Sequence, residues 1–294
     1  MRKSGLLRRW AGLSMALLLP GCSAGGTLAA FEPTGGGRAT IGVPFGVGPR
    51  GTLDVFAPKA GATDRPVVVF FYGGGFRRGE KSMYAFVGKA LQAHGYLAVV
   101  PDYRLYPEVR YDGFLSDGAK AVRWARDHAA EYGGDPKKIV LMGHSAGGYI
   151  AAMLAADPRW LGAVGMDPRK DVVAWVGLAG GYGDVGPPSR RQTDLFGPQE
   201  AYAATRPAAH VEKASPAALL IAGDGDGVVD PANVDRLAEA IRKVGGRVEA
   251  RRYPRLGHTM TVGAMAAPLR FWAPVYRDAV AFIDTVIGFK PGAS

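Results

Sequence analysis

Hydrophobic residues fall into two patterns along this chain. Short unbroken runs rich in Val, Ile, Leu and Phe occupy residues 67–72, 97–100, 139–142, 172–178 and 217–222. They lack the alternation of a half-exposed strand and predict strands buried on both faces, as in a parallel sheet. Between them lie segments with apolar residues three and four apart. Residues 82–93 set Met83, Phe86, Val87, Ala90 and Leu91 on one helical face, with Gly95 as the stop. Residues 114–132 predict another helix, with Ser116 as a candidate cap; residues 148–156, 231–244 and 275–287 predict three more. Residues 39–45 and 52–56 predict an opening antiparallel pair turned by 46–51, and residues 248–253 a last strand. Alternating strands and helices imply an α/β fold, a doubly wound, mostly parallel sheet with helices on both faces. Residues 180–213 interrupt the rhythm. They are long, polar and rich in Pro and Arg, which suits a short lid-like insertion or substrate loop.

Composition narrows this to one domain after a leader. The 294 residues are 48% hydrophobic, enough to bury one large core, and carry no internal repeat or heptad run. Arg2, Lys3, Arg8 and Arg9 form a basic start, followed by an apolar stretch over residues 10–19 that is too short to span a membrane. The only cysteine, Cys22, stands where it ends, so no internal disulfide can form. Residues 1–21 therefore read as a signal peptide resembling that of a bacterial lipoprotein, with Cys22 as the lipidation site. Ordinary secretory cleavage within residues 24–30 and a retained cytoplasmic N-terminus are the alternatives. Ser23 would suit sorting to the outer membrane, which places the protein in a bacterial cell envelope; a soluble secreted or periplasmic form is the alternative. Residues 22–38 read as a flexible Gly-rich tether and 39–294 as the domain. Loss of residues 1–21 removes four basic residues and no acidic one, taking the formal charge from +10 to +6. The remaining basic residues are scattered pairs with no interleaved aromatic stripe, which argues against a nucleic-acid partner.

The chemistry begins at Gly143-His144-Ser145-Ala146-Gly147. This G-x-S-x-G follows a buried-strand run and precedes a small-residue helix. Two flanking glycines permit a sharp turn that lifts a serine hydroxyl above the sheet, with the positive helix end beneath it. Such a serine needs a base, and a carboxylate to orient that base. Two histidines follow Ser145. His258 lies just after the last strand, where a loop returns to the carboxyl edge of the sheet, and is favoured; His210 lies in the insertion. His94 and His128 read as surface residues on helices, and His144 as a packing residue. Three aspartates compete for the acid. Asp224 stands at a strand end, Asp226 at the outer bend of the loop, and Asp230 suits capping of the following helix. This loop lacks the later bidentate glutamate of a calcium loop, and no metal is expected. Tyr72-Gly73-Gly74-Gly75-Phe76 follows the first buried strand, and its bare amides suit an oxyanion. Gly74 and Gly75, with Ala146, are the candidate oxyanion hole.

Taken together, these segments resemble the α/β-hydrolase superfamily, in particular bacterial carboxylesterases of the hormone-sensitive-lipase-like and feruloyl-esterase-like (BD-FAE) groups. The resemblance covers roughly residues 40–290. It rests on Leu53-Asp54-Val55-Phe56-Ala57-Pro58, the Tyr72 glycine loop, the segment from Pro101 to Glu108, the Ser145 turn, Gly223-x-x-Asp226-x-x-Val229, and Gly257-His258. It implies that Asp226 is the acid of a Ser145–His258–Asp226 triad. It also implies a carboxylesterase that forms an acyl-enzyme on a small-molecule ester and needs no cofactor. The family's oxyanion motif usually opens with histidine, where this chain has Tyr72. Tyr103 and Arg104 are expected to form a structural network under the site. Amide cleavage, arylformamidase-like or by a peptidase, shares the fold and the triad. A non-catalytic envelope binding module would be expected to show an eroded triad or glycine loop, and neither is eroded.

Overall fold

The structure, a computed structural model, describes residues 24–33, 35–46, 48–183 and 189–291. The expected signal peptide and Cys22 lie outside the described residues. Eight strands form one sheet: β1 (Gly37–Pro44), β2 (Thr52–Lys59), β3 (Arg65–Phe71), β4 (Leu97–Pro101), β5 (Gly134–His144), β6 (Val172–Leu178), β7 (Ala217–Gly223) and β8 (Val248–Tyr253). Their order is β1-β2-β4-β3-β5-β6-β7-β8. β2 runs antiparallel to both β1 and β4, and all other pairs are parallel. The mostly parallel, doubly wound sheet is the one the apolar runs predict. Residues 67–71 of β3 and 139–142 of β5 are fully buried, because helices cover both faces of the sheet's centre.

The helices are α1 (Ala24–Ala30), α2 (Ala85–His94), α3 (Tyr111–His128), α4 (Ala146–Ala156), α5 (Pro158–Gly162), α6 (Pro168–Asp171), α7 (Arg190–Phe196), α8 (Gln199–Tyr202), α9 (Ala232–Lys243), α10 (His258–Gly263) and α11 (Val275–Ile287). α2 and α11 share one face of the sheet, while α3, α4 and α9 cover the other. His94, expected at the surface, is instead half-buried between α2 and α11, with Nε2 2.9 Å from the Asp284 carboxylate. His128 pairs with Glu131 at the surface, at 2.8 Å.

Two further expectations need correction. α3 starts at Tyr111, ahead of the predicted 114, and Ser116 lies inside it rather than capping it. The chain enters from Arg110 in an extended conformation with no side-chain cap, and Asp112 supplies a carboxylate beside the first-turn amides. The expected tether is also partly docked. α1 packs on α2 and on the turn before it, with Gly25 so close to the Met83 carbonyl that a Cβ would lie 1.8 Å from the oxygen. Lys89 Nζ donates to the Ala29 carbonyl at 2.8 Å. Buried Glu32 accepts from the Ala267 amide and from Arg270 Nη2, the latter at 3.1 Å. Glycine content suggested freedom here, but the missing side chains permit close approach to α2 instead.

Candidate active site

The carboxyl ends of the parallel strands meet along one edge, and four of them supply the site. β5 ends at His144, and Ser145 turns sharply into α4 with φ 54° and ψ −117°. That backbone region is costly for any residue with a Cβ. The turn survives because its surroundings determine it. Ser145 N donates to the Leu178 carbonyl at 2.9 Å. A Cβ on Gly143 would lie 2.1 Å from the Gly147 oxygen, and one on Gly147 2.0 Å from the Phe71 oxygen. Only glycine fits at either flank.

The structure brings Ser145, His258 and Asp226 into one hydrogen-bonded chain. His258 opens α10, with Nε2 2.9 Å from Ser145 Oγ and Nδ1 2.7 Å from Asp226 Oδ2. An ionised carboxylate can only accept, so Nδ1 carries the proton and Nε2 is left to accept the serine hydroxyl. Asp226 Oδ1 accepts from the Val228 and Val229 amides at 2.8 and 2.9 Å, which fixes the carboxylate. The other two aspartates are occupied elsewhere. Asp224 binds Arg252 Nε at 2.6 Å on the surface. Asp230 accepts from the Ala232 amide at 2.9 Å and so caps α9. His210 lies in the insertion, with Nε2 2.7 Å from the Ala204 carbonyl, and does not reach Ser145.

The glycine loop after β3 faces the serine. Gly74 and Gly75 have positive φ, 140° and 62°. Among the described residues, the amides of Gly74, Gly75 and Ala146 donate to no backbone carbonyl. Gly75 and Ala146 line the same cavity as Ser145, whereas Gly74 borders the neighbouring cleft.

Beneath the loop lies a buried polar network. Tyr72 donates to Asp102 Oδ1 at 2.9 Å and accepts from Arg50 Nη1 at 3.0 Å. Burial, then the Asp102 charge, drives the Tyr72 phenol far above its ordinary range, so it remains a donor. Burial likewise raises Asp102, against the opposing pull of the Lys81 amide, Tyr72 and the Lys81 and Arg50 charges. Lys81 Nζ pairs at 3.0 Å with Asp54, itself buried within β2. Tyr103 donates to the Tyr72 carbonyl at 2.8 Å, and Arg104 grips Asp117 through Nε and Nη2, each at 2.8 Å.

Three features escaped sequence reasoning. His144 does more than pack: its Nε2 lies 3.2 Å from the His258 carbonyl, and its ring centroid is 4.9 Å from that of His258. Burial, and secondarily the His258 charge, depresses its pKa to about 3, so it is neutral at pH 7. Asp54 could have been suspected as a lone carboxylate within an apolar strand. No sequence signal marks the pocket residues Gln192, Thr205, Arg206 and Asn233.

The insertion roofs the site. Ser189 caps α7 reciprocally with Gln192. Phe196 at the end of α7 packs against Phe76, Tyr149 and Tyr202, with ring centroids 5.9, 5.2 and 5.8 Å away. The cavity so enclosed measures about 360 Å³. Among the described residues, no cluster of His, Cys, Asp or Glu is placed to hold a metal ion.

Comparison with known proteins accords with this geometry. The BD-FAE family model matches residues 53–160, which include the glycine loop and Ser145. The prolyl oligopeptidase family model matches residues 113–289, more than half of the chain, including Ser145, Asp226 and His258. A probable isoprenylcysteine alpha-carbonyl methylesterase of Arabidopsis thaliana is 31% identical over 192 residues, 60% of this chain and 39% of that protein. A carboxylesterase of Mycobacterium tuberculosis is 41% identical over 110 residues, 37% of this chain and 34% of that protein. The chain thus spans well under half the length of these relatives. The butyrate-bound structure of Thermogutta terrifontis esterase 2 superposes with a TM-score of 0.71 at 25% identity, covering 88% of this chain and 97% of that one.

Proposed function

Since this chain belongs to the prolyl oligopeptidase family and its relatives place it among α/β-hydrolases of the carboxylesterase group, we propose that it hydrolyses carboxylic esters through an acyl-enzyme on Ser145. In this mechanism His258 Nε2 takes the proton from Ser145 Oγ as the oxygen attacks the ester carbonyl. Asp226 Oδ2 holds the Nδ1 proton and stabilises the imidazolium that forms. The Gly74, Gly75 and Ala146 amides donate to the tetrahedral oxyanion. The imidazolium returns its proton to the leaving alcohol. Water, activated by the same histidine, then releases the acid and frees Ser145.

The observation that carries this reading is the unbroken hydrogen-bonded chain from Ser145 Oγ through the His258 ring to Asp226. It lies at the edge of a cavity that also holds Gly75 and Ala146. The esterase relatives favour an ester over an amide. The test is hydrolysis of p-nitrophenyl esters from acetate to laurate, beside Ser145→Ala and labelling by a fluorophosphonate probe. Turnover and labelling that the substitution abolishes are expected. Absence of both in the folded wild type would overturn the reading.

The prolyl oligopeptidase match favours a second reading, cleavage of a peptide or amide bond. Turnover of p-nitroanilides exceeding that of the matching esters would select it. For location, we propose attachment to an envelope membrane through a lipid on Cys22, supported by the basic and apolar pattern of residues 1–21. Among the described residues no helix is long and apolar enough to cross a membrane. Metabolic labelling with a fatty-acid probe, lost in Cys22→Ser, is the expected result.

A further inference from the structure

The lining of the cavity beside Ser145 is mixed: Phe76, Tyr149, Leu195, Phe196 and Val229 contribute apolar surface, and Gln192, Thr205, Arg206 and Asn233 contribute polar groups. Arg206 is the single formally charged residue among the described residues that line it. Its side chain lies along the bare backbone of Gly183, where a Cβ would come 2.7 Å from Arg206 Cγ. Its guanidinium carbon stands 4.9 Å from the Tyr202 ring centroid. Among the described residues, the buried Nε has no hydrogen-bond partner and no carboxylate pairs with the guanidinium.

Arg206 is half-buried, and a buried Nε–H left unused is costly as a purely structural element. Stacked on an aromatic ring and supported along its stem, the side chain is instead preorganised to receive a planar anion through two parallel hydrogen bonds. The adjoining cleft has the same sign. It is lined by Gly74, Arg77, Arg78, Arg190 and Asp194. Arg77 and Asp194 offset each other across 3.2 Å, while Arg78 and Arg190 form no ion pair with any described residue. A cleft with surplus positive charge draws anions toward the cavity.

We propose that the preferred substrates are carboxylic esters bearing a second group that is anionic, a carboxylate, which Arg206 holds while Ser145 attacks the ester carbonyl. This rests on the ester-hydrolase reading and names its substrate class. Arg206 is then a specificity-determining residue. It touches the substrate away from the reacting bond and takes no part in proton transfer. The aromatic cluster of Phe76, Tyr149 and Phe196 receives the carbon skeleton between the two groups.

The test measures preference within each variant, so general damage to the enzyme cancels. Monoethyl succinate, glutarate and adipate are compared with ethyl butyrate, valerate and hexanoate by acid release at constant pH. These place the anion on the acyl side. The acetate of 3-hydroxybenzoate against phenyl acetate places it on the alcohol side. Wild type is expected to favour the anionic member in one of these arms, which identifies the side that the cavity accepts. In Arg206→Gln the ratio of kcat/KM, anionic over neutral, falls about tenfold or more. Arg206→Lys keeps the charge without the fork and recovers part of the ratio. Raised ionic strength weakens the contribution of exposed Arg78 and Arg190 but leaves the Arg206-dependent part. Equal loss on both ester types in Arg206→Gln overturns the proposal, as does a wild-type preference for neutral esters in both arms. In those cases Ser145 still turns over neutral esters and the ester reading stands. If no ester is turned over and the probe leaves Ser145 unlabelled, both fall together.

Discussion

The floor and the roof of the catalytic cavity are built by opposite means. The floor is an extension of the sheet. Its reacting groups leave the carboxyl ends of β5, β7 and β8, and the glycine loop leaves β3. Their backbones stay tied to neighbouring strands or loops: Ser145 to Leu178, Ala179 to Ile221, Asp224 to Tyr253 and Gly225 to Leu256. The roof, α7 and α8 with the turns after them, is made of helices of seven and four residues, too short to be stable alone. It is held by one ring cluster around Phe196, by a Tyr149 hydroxyl donating to the Thr205 carbonyl at 2.7 Å, and by the Arg77–Asp194 pair. Geometry that must hold to a fraction of an ångström sits on rigid elements, and shape that selects a substrate sits on a separable segment. Substitutions in the floor should therefore cost reaction rate, and those in the roof should cost substrate preference.

The largest effects belong to the floor. Ser145→Ala should lower kcat by about 10⁶-fold, and Asp226→Asn by about 10⁴-fold through the wrong histidine tautomer. Steady-state kinetics on a short-chain ester measures both. Ser145 also stores strain at φ 54°, so Ser145→Gly should unfold in urea with about 1 kcal/mol more stability than Ser145→Ala. Equal stability of the two would mean the turn is relaxed and the floor less constrained than its backbone angles indicate.

The same division decides what could be read from the sequence. The buried strands were legible because burial on both faces leaves unbroken apolar runs, as in residues 67–72. Ser145 was legible because its glycine neighbours follow from close backbone approach, and His258 because it follows the last strand. The choice among Asp224, Asp226 and Asp230 was not legible from spacing, since all three share one loop. It needed the family resemblance, and the structure shows what separates them: Arg252 occupies Asp224, and Asp230 caps α9. Arg206 was invisible, because the roof lacks the periodicity that orients a side chain and its residues meet Ser145 only through tertiary folding. Asn233 lies on the predicted helix α9, but only tertiary folding brings that helix to the cavity. The docking of α1 was misread for a related reason. Glycine permits both freedom and close contact, and only the partner surface on α2 decides between them.

His144 tests how completely the floor excludes water. Folded, it stays neutral until its pKa of about 3; unfolded, it protonates near its ordinary value of about 6.5. Between those values the unfolded state binds the extra proton, so stability falls as pH falls through this window, by on the order of a few kcal/mol. His144→Gln retains an N–H for the His258 carbonyl and cannot titrate. It should lose less stability than wild type between pH 7 and pH 4, as measured by urea unfolding. Parallel losses would mean that water reaches the ring. Tyr72→Phe should have a smaller effect. It leaves Asp102 and Arg50 without a shared hydroxyl and should cost about 1–2 kcal/mol. Its catalytic loss should appear in kcat more than in KM, because the network supports the oxyanion loop rather than the substrate.

The smallest effect is expected at the seam between floor and roof. Arg77 on the glycine-loop side and Asp194 on α7 form a pair whose side chains are 33% and 39% exposed. Exposed pairs of this kind contribute about 0–1 kcal/mol and weaken with added salt. Asp194→Asn should therefore barely change the urea midpoint, and it should shift KM for a neutral ester by no more than about threefold. Arg77 should remain in place without its partner, since its guanidinium carbon also sits 4.1 Å from the Tyr106 ring centroid. A large rise in KM would show that this single pair fastens the roof and that the Phe196 cluster cannot hold it alone. A fall in kcat at constant KM would be more informative still. It would mean that the charge acts through Arg77 on the glycine loop, so that floor and roof work as one mechanical unit.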